Sequence, residues 1–420
     1  MFQKLPAVVG QGRCPDIAVV CRCCCHGAVG CVGKSQVCMQ QARRSSTERL
    51  KEGSKATSRR TQPHEVALRP GRSQLKDTNP FLRTAECASK TEPRTAMQYQ
   101  RTPQLEKTID GFPSLKTREY RAHKSNVHTV GWNCDGRRLA SGSTDKTARV
   151  WAPERTSDPR SSLELRGHTD SVDQLRWDPT HPDHLATASC DRTVRIWDAR
   201  SAKSIHKIDT VGQNINISWS PDGHSIAVGN KDDMISFIDT RTFKIEKTVQ
   251  FKVEVNELGW NPTGKLFLLT TGQGTVKILD YPSMTELHNL DAHTANCYCL
   301  EFDPRGRYLA TGSADALVNL WDLEEYVCVR TYGQLDWPIR TLSFSFDGEF
   351  IVSASEDLAI DISLVETGES VHKIDCFAAM NTVAWHPNKY LLAYAGDEQE
   401  SRPGGGSVMT GSLRVFGFSG

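Results

Sequence analysis

Short apolar runs separated by polar turns recur along the chain from about residue 115 onward. Each unit contains a segment of the type Val-x-x-Leu-x-Trp, and the aromatic residues that end these segments follow one another every 41 to 45 positions: Trp132, Trp177, Trp219, Trp260, Phe302, Phe344 and Trp385. A turn and two further short strands come after each aromatic residue. Short strands repeated at this period are typical of β-propeller blades, each a four-stranded sheet. The pattern therefore predicts seven blades.

The last unit supplies only three strands, at residues 381–385, 390–395 and 413–418. A ring that stayed open would expose the edges of its sheets, which proteins avoid. The segment Lys116–Arg121, just before the first unit, can provide the missing outer strand. The sequence therefore predicts that both ends of the domain pair in one blade and close the ring.

Three units carry the same polar set of a His before the blade, a Ser or Thr on its second strand, an Asp in the next turn and a Trp on the third strand. The members are His123, Ser141, Asp145 and Trp151, then His168, Thr187, Asp191 and Trp197, then His293, Thr311, Asp315 and Trp321. This set is typical of WD40 blades, where such groups satisfy one another's hydrogen bonds.

A Ser/His/Asp combination also occurs in hydrolases, but recurrence in three units and the inclusion of Trp favour a structural role. We therefore predict an all-β fold, a seven-bladed WD40 β-propeller that is not an enzyme. We expect no catalytic residue, no cofactor, no metal site and no small-molecule substrate.

Partner-binding candidates lie where the innermost strand of each unit begins, four residues before its terminal aromatic residue and close to the mouth of the central channel. These positions are His128, Asp173, Ile215, Asn256, Tyr298, Arg340 and Asn381. In the sixth unit Leu335 replaces the expected His, which frees the neighbouring Asp336 and Trp337 from that structural duty. Aromatic and Arg residues dominate interface hot spots, so Trp337 and Arg340 are the strongest candidates. Trp337 sealing the seam between two blades is an equal alternative. The segment 396–411 is expected to be a flexible loop on the same face.

The first 112 residues lack this periodicity and are rich in Ser, Thr, Arg, Lys, Gln and Pro. Such a composition predicts a disordered tail, Cys-rich and then basic, before a propeller at 113–420. The tail carries an excess of Lys and Arg, whereas the rest of the chain carries an excess of Asp and Glu. Basic blocks are typical of interaction tails, so the tail is expected to contact RNA weakly or indirectly.

Other motifs of the tail carry little weight. The cysteines of 21–31 lack the paired spacing of a zinc site. The segment 28–35 matches a phosphate-binding loop only in relaxed form and has no parallel sheet around it. The longest uncharged stretch, 23–33, is too short for a membrane span, so we expect no membrane partner.

Several stretches of the sequence contain more specific residue patterns than a WD40 blade requires. They are residues 214–239, 251–261, 302–330, 335–348, 353–369 and 381–398. Together they resemble the third subunit of the THO complex, the WD-repeat component of the transcription–export assembly. The resemblance covers about residues 115–418, and the degenerate third, fourth and sixth units make it specific.

The resemblance implies a non-catalytic scaffold that couples transcription and mRNA processing to nuclear mRNA export. Its expected partners are helical THO subunits and mRNA export factors. Its expected location is the nucleus, including nuclear speckles, with the cytoplasm secondary. The alternative is a WD40 adaptor that binds a short peptide or a histone tail within a chromatin or ubiquitin-ligase complex. The two differ in the partners recovered from a nuclear extract.

Overall fold

Six four-stranded antiparallel sheets and one of five strands form the body of the computed structural model, which describes residues 99–155, 158, 161–401 and 407–419. The innermost strand of each sheet contacts that of the next, and the last of them contacts the first. The predicted seven-bladed propeller is therefore confirmed.

In blades one to six the strands follow the chain in order, from the innermost to the outermost. Blade one contains β2 (Val127–Trp132), β3 (Leu139–Ser143), β4 (Thr147–Trp151) and β5 (Ser162–Arg166). Blade two contains β6 (Val172–Trp177), β7 (His184–Ser189), β8 (Thr193–Asp198) and β9 (Lys203–Asp209). Blade three contains β10 (Asn214–Trp219), β11 (Ser225–Asn230), β12 (Met234–Asp239) and β13 (Lys244–Gln250).

Blade four contains β14 (Val255–Trp260), β15 (Leu266–Thr271), β16 (Thr275–Asp280) and β17 (Glu286–Asp291). Blade five contains β18 (Cys297–Phe302), β19 (Tyr308–Ser313), β20 (Val318–Asp322) and β21 (Cys328–Tyr332). Blade six contains β22 (Ile339–Phe344), β23 (Phe350–Ser355), β24 (Ala359–Leu364) and β25 (Ser370–Asp375). Blade seven contains β26 (Met380–Trp385), β27 (Leu392–Gly396), β29 (Ser407–Phe418) and β1 (Lys116–His123), and a short strand, β28 (Glu398–Ser401), pairs with the start of β29.

The terminal aromatic residues join neighbouring blades, which explains their regular spacing. The indole Nε1 of Trp177 donates to the carbonyl of Gly131 at 2.8 Å, one blade back. Trp219 donates in the same way to Arg176 at 3.1 Å, and Trp132 donates to Ala384 of blade seven at 3.2 Å. These three tryptophans thus fill the space between two blades and also satisfy a backbone carbonyl there.

Ring closure takes the form that the sequence predicts. Strand β1 pairs antiparallel with β29, in a register that runs from Lys116 opposite Phe418 to His123 opposite Gly411. The Arg118 guanidinium lies 3.7 Å from the centre of the Phe418 ring, a cation–π contact at the seam. Residues about 300 positions apart in the sequence therefore hold the ring shut.

A helix precedes the closing strand, inside the segment that the sequence assigns to the tail. Helix α1 (Pro103–Gly111) begins after Thr102, whose hydroxyl accepts a hydrogen bond from the Leu105 N–H at 3.2 Å. A 3-10 turn (Phe112–Ser114) follows, and the Phe112 ring packs edge-on against Phe350 at 5.2 Å. Leu105 and Phe112 are buried in the core shared by blades six and seven. The folded body thus begins before the predicted boundary at 112, because this short segment contributes two core side chains.

The motifs predicted in residues 1–98, including the cysteine cluster, the phosphate-loop-like segment and the arginine pairs, lie outside the described residues. In the part of the chain that is described, no helix is long and apolar enough to cross a membrane.

Candidate partner-docking face

The polar sets lie at the end of the blades where the chain passes from one blade into the next. In blade one, His123 Nδ1 lies 2.9 Å from Asp145 and Nε2 lies 2.8 Å from the Ser141 hydroxyl. The Trp151 indole donates to the same hydroxyl at 2.8 Å. The corresponding contacts in blades two and five lie between 2.7 and 3.1 Å. Each hydroxyl is thus engaged by both a His and a Trp, which supports a structural role for the sets.

The aspartates of these sets also hold the loops of this face, which we call the top face. Asp145 Oδ2 accepts the Lys124 N–H at 2.9 Å, and Asp191 Oδ2 accepts the Thr169 N–H at 3.0 Å. Burial opposes ionisation of both carboxyls, but the hydrogen bonds from His123 and His168 prevail and hold the pKa of each Asp well below its usual range. Both carboxylates are therefore charged at neutral pH and fasten a loop at the top face.

Replacing Asp191 by Ala should lower the free energy of unfolding by about 1–3 kcal/mol at pH 7, because it strands the buried His168 ring and the Thr169 N–H. Thermal or urea unfolding measures the change. The pKa of Asp191 is lower in the folded state than in the unfolded state, where it is about 3.9. The stability that Asp191 contributes is therefore complete above about pH 3.9 and is lost as the pH falls toward the folded-state pKa. The deficit of the variant should therefore shrink in acid.

Asp198→Ala provides the control for this substitution, because the ion-pair partner of Asp198 on the same blade, Arg200, is largely exposed. Exposed pairs contribute about 0–1 kcal/mol. Equal losses for the two variants would contradict a buried structural role for Asp191.

Four of the seven positions predicted at the channel mouth lie together. His128, Asp173, Arg340 and Asn381 line one cavity of about 100 Å³ at the top of the channel. Asn256 does not line this cavity. Its side-chain amide donates instead to the Cys297 carbonyl of the next blade at 3.0 Å. Tyr298 and Ile215 are half-buried outside that cavity. The predicted ring of partner-binding residues is thus only partly assembled.

Arg340 sits in an ion-pair cluster that joins blades six and seven. Its guanidinium contacts Glu356 at 3.0 Å, Asp397 at 3.1 Å and the Asn381 side chain. Asp397 in turn accepts from the Asn126 amide of blade one at 2.9 Å. Because its charge is already paired, Arg340 organises this part of the face and is less suited to be an independent anchor.

The loop that leads into blade six presents Trp337 outward. Leu335, in the place of the usual His, is buried in the core between blades five and six. The set's Asp is retained as Asp357, which accepts the N–H groups of Asp336 at 2.8 Å and Trp337 at 3.2 Å. The Trp337 residue is 44% exposed. This exposure favours the anchor interpretation over the seam-sealing one.

Two further apolar residues lie beside this loop, and sequence reasoning missed both. Leu358, directly after Asp357, is 60% exposed, and Phe377 is 84% exposed. The Leu358 carbonyl accepts the Cys376 N–H at 2.9 Å, so the two exposed residues belong to adjoining loops. Trp337, Leu358 and Phe377 together form what we call the rim patch. One signal was present in the sequence, since Phe377 follows Cys376, which takes the His position of blade seven.

Acidic groups surround the rim patch. They are Asp336, Glu356, Asp357 and Asp397, whereas the nearby cations are Arg340, Arg414 and Lys373, which donates to the Gln334 carbonyl at 3.0 Å. Arg414 lies 5.6 Å from the Phe377 ring and also pairs with Glu119 at 2.8 Å. The patch is therefore apolar at its centre and net acidic at its edge.

The segment expected to be a flexible loop on this face contains regular structure. Strand β28 pairs with the first residues of β29, in a register from Glu398 opposite Thr410 to Ser401 opposite Ser407. This hairpin follows Asp397 directly and so extends blade seven from the edge of the rim patch. Residues 398–401 and 407–410 therefore form paired strands where a flexible loop was expected, and the pairing satisfies backbone groups that a loop would leave to solvent.

Charged residues also lie inside the channel. Glu301 of β18, Glu257 of β14 and Arg176 of β6 line the same cavity, and Glu257 accepts the Gln174 amide at 2.8 Å. Burial raises the pKa of Glu301 to about 7, with the nearby Glu257 adding to the effect and Arg176 opposing it. In the described residues, no three His, Cys, Asp or Glu side chains form a metal-ligand group.

Replacing Glu301 by Gln should stabilise the protein relative to the wild type more at pH 8 than at pH 5. The difference in unfolding free energy between variant and wild type should increase by about 1–3 kcal/mol between these two pH values. The raised pKa means that the group's contribution is complete below its unfolded value, about 4.3, and is lost as the pH rises through about 7. Unfolding of variant and wild type at both pH values measures the difference, with the exposed Glu246→Gln on β13 as control. A difference that does not change with pH would mean that channel water already solvates the Glu301 carboxylate.

The seven blades, the three complete polar sets and the exposed rim patch together define a WD40 propeller protein with a candidate docking face. Comparison with known proteins refines this class. Residues 123–395 match the family model described as the THOC3 beta-propeller domain. The chain therefore belongs to the THOC3 β-propeller family.

Individual proteins are also similar to this chain. THO complex subunit 3 from Arabidopsis thaliana is 53% identical over 315 residues, which span 75% of this chain and 99% of the relative. WD repeat-containing protein AAC3 from Dictyostelium discoideum is 32% identical over 352 residues, 78% of this chain and 72% of that protein. Striatin from Rattus norvegicus is 26% identical over 263 residues, which span 57% of this chain and 34% of striatin.

Proposed function

We propose that this protein is a non-catalytic scaffold subunit of the THO complex, which couples transcription and mRNA processing to nuclear mRNA export. The observation that carries the proposal is the 53% identity that extends over 99% of a protein named THO complex subunit 3. Such coverage supports an equivalent place in an equivalent assembly. The protein then acts in the nucleus, including nuclear speckles, with the cytoplasm as a secondary location.

The scaffold role follows from what the propeller offers to other proteins. A rigid ring held by its seam strand and polar sets presents fixed loops, and such a platform binds partners without rearranging. The rim patch supplies apolar area with two aromatic anchors, the residue type that dominates interface hot spots. We therefore assign the rim patch to the contact with the helical THO subunits, and the export factors associate through that assembly.

Charge indicates the kind of segment that docks there. The acidic edge of the patch favours a partner helix with Lys or Arg beside its apolar stripe, because complementary potentials speed association and suppress wrong partners. A helix laid across the two adjoining loops would place its apolar side chains against Trp337 and Phe377. The docking segment of the partner is thus a basic, amphipathic helix.

Affinity purification of the tagged full-length chain from nuclear extract tests the function. We expect mass spectrometry to recover the other THO subunits in comparable amounts. Recovery of ubiquitin-ligase or methyltransferase components without THO subunits would instead favour the peptide-reading adaptor. A tagged WD40 protein of another family, carried through the same purification, identifies background binders.

A further inference from the structure

Four arginines converge on a cleft at the opposite end of blades one and two. The cleft has a volume of about 230 Å³, and its charged lining residues are Asp135, Arg137, Arg138, Arg155, Asp183 and Arg200. These residues come from the turns after β2, β4, β6 and β8. The polar sets and the rim patch belong to the turns at the other end of the strands, so this arginine cleft lies on the bottom face.

The arginines of the cleft outnumber the carboxylates that neutralise them. Asp183 contacts both Arg138 and Arg200, at 3.5 Å in the second case. Arg200 pairs in addition with Asp198 at 3.1 Å. Neither Arg137 nor Arg155 forms an ion pair with any carboxylate in the part of the chain that the structure describes. The arginine cleft therefore keeps a surplus of positive charge.

This arrangement suits a phosphate group. Planar guanidinium groups donate paired hydrogen bonds to phosphate oxygens, and Asp183 holds two of them in place before a ligand arrives. Cations brought together repel one another unless an anion enters between them. Anion binding would thus relieve a repulsion that the fold itself creates.

A second groove with basic residues adjoins the cleft, beside α1 and the seam of blade seven. It has a volume of about 600 Å³, and its charged residues are Lys107, Arg118, Lys389 and Glu154. The loop 152–155 separates the two, since Arg118 donates to the Pro153 carbonyl at 3.5 Å and Lys389 contacts Glu154 at 2.7 Å. Three basic and one acidic residue line the groove, and four basic and two acidic residues line the cleft.

We propose that the arginine cleft binds the phosphodiester backbone of single-stranded nucleic acid, which continues across the loop 152–155 into the groove. A basic track that extends beyond one cleft favours a chain of phosphates over a single phosphorylated side chain. The site lies in the folded body and is separate from the basic tail. It also goes beyond the scaffold role, because it gives this subunit a direct contact with the transcript.

Salt-dependent binding of a short, fluorescently labelled oligouridine tests the site. The full-length chain is compared with the double variant Arg137→Gln, Arg155→Gln by fluorescence anisotropy over a series of salt concentrations. For a single strand, each phosphate that is no longer neutralised by an arginine reduces the slope of log K against log salt by about 0.7, so the slope should fall by about 1.4. The affinity at low salt should fall in parallel.

A matched variant separates the site from general attraction. Arg241→Gln with Lys265→Gln removes the same charge from exposed turns of the bottom face on blades three and four and should leave the slope unchanged. Equal slopes for the cleft variant and the wild type, or equal losses in both variants, would overturn the proposal. Binding of a phosphoserine peptide through Arg137 and Arg155, without binding of oligouridine, would also overturn the proposal. Circular dichroism melts verify that every variant is folded.

Discussion

Replacing Trp337 and Phe377 together by Ala is expected to leave the propeller folded and to weaken its association with the THO assembly by about 30-fold or more. Both residues are exposed and so contribute little to the core. Truncating a hot-spot side chain costs about 2 kcal/mol or more, and about 1.4 kcal/mol corresponds to a factor of ten in affinity. Surface plasmon resonance against a THO assembly purified without this subunit measures the change.

The control for that variant removes equivalent apolar area elsewhere. Leu287 and Val329 are exposed on the outermost strands of blades four and five, away from the rim patch. Their double Ala variant should bind the assembly as the wild type does. If the Trp337/Phe377 variant binds equally well while melting normally, the assembly does not form at this rim.

Stepwise removal of the N-terminal segment is expected to destroy the fold at one defined point. Deleting residues 1–98 should leave the melting temperature unchanged. Deletion through Ser114 removes Leu105 and Phe112 from the core and should cost about 3–6 kcal/mol of unfolding free energy, since each buried side chain contributes about 1.5–3 kcal/mol. Deletion through His123 removes β1, leaves β29 without its outer partner and should abolish cooperative unfolding.

Differential scanning calorimetry of the three truncations measures this series, with the full chain as reference. A cooperative transition that persists without β1 would contradict the closure of the ring by that strand. A loss of stability on deletion of residues 1–98 would show that the tail contributes to the stability of the fold. Limited proteolysis provides a second readout, because the resistant fragment should begin just before α1.

The blades were predictable because their signals are local and repeated. The terminal aromatic residue and the turn after it recur in phase, and counting the strands of the last unit was enough to find β1. Helix α1 was missed although its start signal was present, with Thr102 at the N-cap and Pro103 at the first helical position. The polar composition around it concealed nine helical residues whose stability comes from packing on the propeller.

The docking face was harder to predict, since it depends on contacts between distant parts of the chain. Trp337 could be selected because Leu335 breaks a recurring pattern in its own unit. The pairing of Arg340 depends on Asp397, 57 positions away, and no local pattern reveals it. Leu358 and Phe377 become neighbours only when β24 pairs with β25, since Ala359 lies opposite Asp375 at the end of that ladder.

Hydrogen exchange on the chain alone and within the purified THO complex tests the central claim most directly. If the rim patch is the docking site, assembly should slow the exchange of backbone amides at 336–337, 357–358 and 376–378. The bottom-face turns at 137–138 and 200–203 should exchange at the same rate in both states in the absence of nucleic acid. Protection confined to other surfaces, with the rim-patch loops unchanged, would contradict the assignment of this face to the assembly.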